Sequence, residues 1–268
     1  MPHPLLQSAR RLVVGHRGNC AHAPENTLVS FAQGVALGVD AIELDVRLSA
    51  DGVVMVMHDP TVDRTTSGAG AVAELTSAAL MALDAGYRFT PDGGRAFPYR
   101  GTGVTVPRLR DVLEQFPETP LLIEIKMPDA AAPLRAVLES AGATERCIVE
   151  SFHHAAGAAF AGSSIAVGAS QRDVVALLAH AILRRPAARV PFRFMSIPPR
   201  HGVLPVPIAG LVAATRGAGA PVHVWTVNDP AQARRLWAMG VTAVISDDPA
   251  TILAARNADS RTAATGAA

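Results

Sequence analysis

In the run Ala41–Leu48, the charged residues Glu43, Asp45 and Arg47 alternate with Ile42, Leu44, Val46 and Leu48. Successive side chains of an extended strand point to opposite faces, so the three charged groups share one face and the aliphatic groups the other. On an open sheet such a face is simply solvated. Turned into the interior of a closed barrel, two carboxylates cannot stay ionised without a compensating cation, and a hard divalent ion suits an oxygen-only donor set. Leu121–Lys126 repeats the pattern, with Glu124 and Lys126 alternating with Ile123 and Ile125. Glu124 is a third carboxylate for such a centre, and Lys126 is a contact for an anionic substrate oxygen. An internal Glu–Lys pair that neutralises itself is the alternative reading of that strand.

Two histidines stand near these carboxylates. Gly15-His16-Arg17-Gly18 ends the first strand-like run, joining a bidentate anion contact to a titratable proton donor in one turn. Asp51-Gly52 separates two strand-like runs and is a strong hairpin signal. With those two residues as the turn, Ala50 faces Val53, and counting outward pairs Asp45 with His58, on the same face. Val53–Met57 then becomes an extra strand antiparallel to Ala41–Leu48, because two residues are far too few for a parallel crossover. Asp59-Pro60 ends it.

These residues need a scaffold that turns strand ends towards one another. Eight apolar runs read as strands: Leu12–Val14, Ala41–Leu48, Leu121–Lys126, Cys147–Glu150, Ile165–Gly168, Arg193–Ile197, Val222–Thr226 and Ala243–Ser246. Helical patterns lie between several of them, at Thr27–Leu37, Ala131–Ser140, Val174–Leu183 and Ala231–Met239. Alternating strand and helix predicts a parallel sheet, and eight repeats predict an α/β fold of the TIM (β/α)8 barrel type. The expectation is one catalytic domain over 1–256, with an insertion at about 60–107 after the second-strand hairpin, and a disordered tail at 257–268. The insertion holds a short helical pattern, Ser77–Leu83, and Tyr87, Phe89, Phe97 and Tyr99.

Charge is nearly balanced, 24 Lys and Arg against 23 Asp and Glu, so the electrostatic footprint of a nucleic-acid binder is missing. No apolar run reaches the ~18 to 20 residues of a membrane span, and residues 1–12 lack a signal-like apolar segment; a cytoplasmic protein without stable membrane insertion is expected. Cys20 and Cys147 form no disulfide framework and read as small buried side chains. His22, His153, His154, His180 and His201 receive no role. The pattern specifies no oligomeric state.

Taken in order, Gly15-His16-Arg17-Gly18, Pro24-Glu25-Asn26-Thr27, Ile42-Glu43-Leu44-Asp45-Val46, Asp51-Gly52, His58-Asp59, Arg64-Thr65-Thr66, Gly68, Gly70, Ile123-Glu124-Ile125-Lys126 and Val224-Trp225-Thr226-Val227-Asn228 resemble the glycerophosphodiester phosphodiesterase family from about Val13 to Ile252. The resemblance implies a variant TIM barrel that hydrolyses a small-molecule glycerophosphodiester to glycerol 3-phosphate and an alcohol, using one divalent cation, Mg2+ or Ca2+. It makes His16 and His58 the acid–base pair, Glu43, Asp45 and Glu124 the metal ligands, and Arg17 and Lys126 the phosphate contacts. It also implies an insertion over the barrel mouth and a cyclic phosphate formed by the substrate's own glycerol hydroxyl. Trp225, at a late strand end, packs the glycerol carbons or the core. Asp247-Asp248-Pro249 and Ser246 depart mildly from the family pattern and alter the pocket rim. Two other functions fit the same residues: a related barrel phospholipase or lyase acting on another phosphodiester or lysophospholipid, and a non-catalytic ligand-binding barrel, though the latter is expected to lack one of these five histidines and carboxylates.

Overall fold

The computed structural model describes residues 3–7 and 11–265. Its strands are β1 (Leu12–Gly15), β2 (Ala41–Leu48), β3 (Val54–Val56), β4 (Leu121–Ile125), β5 (Cys147–Glu150), β6 (Ala166–Val167), β7 (Met195–Ile197), β8 (Arg200–His201), β9 (Leu204–Pro205), β10 (Val222–Val224) and β11 (Ala243–Ser246). Eight of them run parallel in the order β6-β5-β4-β2-β1-β11-β10-β7. The outer members meet through a parallel bridge between Gly168 and Phe194, with Arg193 N donating to Val167 O and Ala169 N to Phe194 O, both at 2.9 Å. The curled sheet is thereby joined edge to edge. All eight strands expected from the sequence take part.

Among the described residues eight α-helices accompany the strands: α1 (Leu28–Leu37), α2 (Ser77–Met81), α3 (Leu109–Gln115), α4 (Ala131–Ser140), α5 (Gln171–Ile182), α6 (Ile208–Arg216), α7 (Pro230–Ala238) and α8 (Pro249–Thr265). Thr27 caps α1 by accepting from Ser30 N, and Gly38 ends it in the left-handed region at φ 79°. The outward faces of β2, β4 and β5 pack Ile42, Leu44, Val46, Ile123 and Val149 against Phe31, Val112, Leu134 and Leu138 of the helices.

The inner face changes character along each strand. Leu12, Val14, Ala41, Leu122, Ile148, Phe194 and Ile245 form an apolar plug. One or two alternations further on, towards the strand C-termini, the inner positions become His16, Glu43, Asp45, Glu124 and Glu150. The plug closes one end of the barrel, and the chemistry lies at the other.

Two expectations are corrected. The hairpin pairs Val46 with Val56, Arg47 with Met55 and Leu48 with Val54, one residue away from the expected register. Gly52 N donates to Ser49 O at 3.0 Å, and Ser49 N to Val53 O at 3.0 Å, so the loop has three residues, Ala50-Asp51-Gly52. Gly52 takes the left-handed position at φ 75°, which a three-residue loop with a bulge requires. Asp45 therefore faces Met57, whose N donates to Asp45 O at 2.9 Å. The strand itself is antiparallel to β2 as expected.

The tail at 257–268 is not disordered over its described part: α8 runs without a break to Thr265. It is tied down by the Arg256–Asp40 ion pair and by Asp259, which meets Arg234 at 2.9 Å and Arg11 at 3.6 Å. Residues 266–268 lie outside the described ones.

The insertion packs on itself and against α1. Phe89 and Tyr99 pack edge to face at 5.4 Å, Arg100 lies over Tyr87 and Phe97, and Tyr99 Oη accepts from Gln33 of α1 at 2.8 Å. The segment has its own core of Met55, Met57, Val62, Val72, Leu80, Ala85 and Val106. It borders the loop after β1, where a cleft of about 330 Å³ runs between Cys20–Glu25 and Ala85–Thr90.

Candidate active site

At the C-terminal ends of the strands a cavity of about 120 Å³ is lined by His16, Arg17, Glu43, His58, Glu124, Lys126, Glu150, Phe152, Trp225 and Thr226. Seven of the eight site residues read from the sequence border it. The eighth, Asp45, lies beneath, and its carboxylate meets Lys126 Nζ at 2.8 Å and Arg17 Nε at 3.2 Å.

Carboxylate oxygens of Glu43, Asp45 and Glu124 all lie within 4.8 Å of one another. Period-two alternation puts Glu43 and Asp45 on one inward face of β2, and the parallel register places Asp45 beside Glu124 of β4. Lys126 Nζ sits 2.8 Å from both Asp45 and Glu124. Burial and the charge of Asp45 push Glu43 up, to about 8. Asp45 is held below its usual range: burial opposes the charge, but Lys126, Arg17 and His58 together outweigh it. Lys126 and Arg17 bring two positive charges to three carboxylates, and an oxygen-only set short of positive charge fits a hard divalent cation.

Asp45 is also fixed from the side. Asn26 Nδ2 donates to Asp45 Oδ2 at 2.8 Å, and Asp45 N donates to Asn26 Oδ1 at 3.3 Å. Arg17 N donates to Glu43 Oε2 at 3.0 Å, from a backbone in the left-handed region at φ 50°. The Pro24-Glu25-Asn26-Thr27 segment thus holds a carboxylate and caps a helix within two consecutive residues.

Each histidine is braced by an aspartate at Nδ1. His16 Nδ1 lies 2.5 Å from Asp247 Oδ1, and His58 Nδ1 lies 2.6 Å from Asp59 Oδ1. A carboxylate only accepts, so Nδ1 carries the proton in both rings and Nε2 is the atom left for other work. His16 Nε2 is 3.9 Å from Glu43 Oε2. Burial lowers the affinity of His16 for a proton, but Asp247 and Glu43 outweigh it and leave the imidazole pKa raised.

His58 reaches the cavity by a different route from the one its sequence position suggests. β3 ends at Val56, and the chain then bends, with His58 O accepting from Arg47 Nε at 2.8 Å. Asp59 is held in turn by Arg64 Nε at 2.5 Å, Arg64 reaches Glu25 at 2.7 Å, and Glu25 meets Arg17 at 2.7 Å. A charged chain Arg17–Glu25–Arg64–Asp59 therefore links one edge of the site to His58.

Sequence reasoning missed four residues here. Asp247 was read as rim, yet it holds His16 and is itself held by Asn228, whose Nδ2 donates to Asp247 Oδ2 at 2.8 Å and whose Oδ1 accepts from Asp247 N at 2.9 Å. Glu150 follows the same inward alternation as Glu124, a signal that was available in Cys147–Glu150; burial and the neighbouring Glu124 charge push it up to about 8. His223 is fully buried, with Nε2 2.9 Å from Leu5 O. Phe152 meets Trp225 edge to face at 5.9 Å, forming one wall. His22, His153, His154, His180 and His201 do not line the cavity.

A parallel barrel that gathers paired histidines, cations and three carboxylates at the C-terminal ends of its strands defines an α/β-barrel site for an anionic substrate. The sequence profile of the Glycerophosphoryl diester phosphodiesterase family matches residues 16–251. A glycerophosphodiester phosphodiesterase of Caldanaerobacter subterraneus subsp. tengcongensis is 32% identical over 91% of this chain and 97% of its own. Among solved structures, a glycerophosphodiester phosphodiesterase from Agrobacterium tumefaciens has a TM-score of 0.71 at 29% identity, over 91% of this chain and 99% of that one. An Oleispira antarctica phosphodiesterase in complex with the product sn-glycerol-3-phosphate has a TM-score of 0.72 at 26% identity, covering 92% and 96%. The chain belongs to the glycerophosphoryl diester phosphodiesterase family, and it is an enzyme.

Proposed function

We propose that this enzyme hydrolyses glycerophosphodiesters to glycerol 3-phosphate and an alcohol, with one divalent cation, Mg2+ or Ca2+, held by Glu43, Asp45 and Glu124. The observation that carries the reading is the pair of histidines, each braced at Nδ1 by an aspartate, bordering the same 120 Å³ cavity as Arg17, Lys126 and two of those carboxylates. The product named for the Oleispira antarctica relative supports the substrate class.

The chemistry follows from charge. A phosphodiester monoanion repels a nucleophile, and Arg17 and Lys126 offset the charge that builds on its free oxygens. Glu43, Asp45 and Glu124 would hold a divalent ion, which would supply electrophilic assistance to the phosphoryl group. One histidine accepts the proton of the attacking glycerol hydroxyl while the other, protonated, donates to the leaving alcohol. Water then opens the cyclic phosphate, giving its proton to the second histidine while the first protonates the departing ring oxygen, to leave glycerol 3-phosphate. Asp247 and Asp59 each fix the orientation of one ring at Nδ1, and Asp247 also favours the imidazolium of His16. Trp225 and Phe152 cover the carbon skeleton beside the phosphate.

The test is hydrolysis of glycerophosphocholine, glycerophosphoethanolamine, glycerophosphoglycerol and lysophospholipids with and without divalent cation. Cation-dependent release of glycerol 3-phosphate is expected. Accumulation of a cyclic phosphate as the final product would make this a lyase, and turnover confined to lysophospholipids would move the substrate class.

A further inference from the structure

A small crevice opens off the main cavity and shares Glu124, Glu150, Phe152 and Trp225 with it. Ser196 and Ala169 complete its walls. Its volume is about 10 Å³, the space that one water-sized group occupies. Nothing in the proton-transfer scheme uses it.

The crevice is a built feature. Glu150 ends β5 and stands in register with Glu124 of β4, which turns its side chain inward. Gly168 makes room for it, since a Cβ there would come within 3.0 Å of Glu150 Cβ and 2.8 Å of the Phe194 ring. Ser196 of β7 lines the crevice together with Glu150 and Trp225 and stands in register with His223 of β10. His223 Nδ1 lies 3.5 Å from Ser196 Oγ, and its Nε2 is anchored on Leu5 O. Glu150, Ser196 and His223 make a polar line across the barrel that reaches into the apolar plug at Leu5 and Phe194, and its Glu150 end borders the cavity.

We propose that Glu150, with Ser196, anchors a hydroxyl of the substrate's glycerol arm and is a specificity-determining residue of this enzyme. The inference rests on the glycerophosphodiesterase reading. A carboxyl beside a hydroxyl supplies both acceptor and donor, which is what an alcohol group needs. The crevice admits a single oxygen and is too small for a trimethylammonium group, so the head-group end of glycerophosphocholine does not enter it. The edge-to-face wall of Phe152 and Trp225 covers the carbons that carry the hydroxyl.

The experiment measures calorimetric binding of sn-glycerol 3-phosphate and of methyl phosphate, which lacks hydroxyls, to the Mg2+- or Ca2+-loaded protein. Glycerophosphocholine turnover is followed in parallel. Wild type is expected to bind glycerol 3-phosphate the more tightly. Glu150→Ala should weaken that binding by about 10- to 100-fold, the range of a lost buried hydrogen bond, and leave methyl phosphate within about 2-fold. Ser196→Ala should show the same bias more weakly, and Glu150→Gln, which keeps an acceptor and a donor, should restore most of the binding. Equal affinity of wild type for the two phosphates, equal losses for both in Glu150→Ala, or a tenfold loss of divalent-ion affinity in Glu150→Gln would overturn the proposal while turnover of glycerophosphocholine stands. Absence of turnover and of glycerol 3-phosphate binding in wild type would overturn the underlying function and this inference with it.

Discussion

Asp247 reaches across 231 residues of sequence to place its Oδ1 2.5 Å from His16 Nδ1. The contact exists because β11 and β1 are parallel neighbours, with Gly15 in register with Ser246, so each residue just past its strand meets the other. The carboxylate raises the His16 pKa against the effect of burial.

Asp247→Asn removes that charge and keeps the shape. The His16 pKa, followed by NMR, should fall, and turnover should fall by about 10-fold or more as the imidazolium loses its partner. The stability link has a definite sign: a raised histidine pKa contributes stability that is present below about 6.5 and is lost as pH rises through the native value. The denaturation gap between wild type and variant should therefore be wider at pH 5.5 than at pH 8.

His16→Ala and His58→Ala should each reduce kcat by about 100-fold or more, the usual worth of a general acid or base. Calorimetric divalent-ion affinity should be preserved, because neither ring belongs to the carboxylate trio. Turnover near wild type in either variant would remove that residue from proton transfer.

Divalent cation should raise the melting temperature, by the equivalent of about 2.7 kcal/mol at a hundredfold excess over Kd. Glu43→Gln should abolish most of that rise. The cation-free variant should be at least as stable as cation-free wild type, since the substitution relieves the Glu43–Asp45 repulsion in a buried site. A cation-dependent rise of undiminished size in Glu43→Gln would exclude Glu43 as a ligand.

Arg64→Ala tests the charged chain behind His58. Arg64 is half exposed, so its ion pairs with Glu25 and Asp59 should cost less than about 1 kcal/mol in chemical denaturation. Turnover should fall further than stability does, because Asp59 loses the group that holds it against His58. Unchanged kcat would show that Asp59 needs no such support.

Phe194→Ala tests the plug. Phe194 is fully buried and stacks on His223 at 5.3 Å, so its truncation should cost about 3 to 5 kcal/mol in chemical denaturation.

Much of this enzyme was already determined by sequence alone. Side chains in a strand alternate with a fixed period, so the inward placement of Glu43, Asp45, Glu124 and Lys126 follows from local pattern once the sheet curls. His16 and Arg17 follow as the turn at the end of β1. The eight parallel strands were legible for the same reason, as short apolar runs separated by helices. Helices α3, α6 and α8 were not, since α8 in particular is held by ion pairs to Asp40 and Arg234 that no local pattern announces. The hairpin register turned on one loop residue, and a two-residue and a three-residue turn differ by a shift that local sequence barely specifies. Only the closed barrel brought Asp247 to His16, Ser196 to Glu150 and His223 to Leu5, because these pairs come from distant segments and their distances depend on strand order and register around the whole ring.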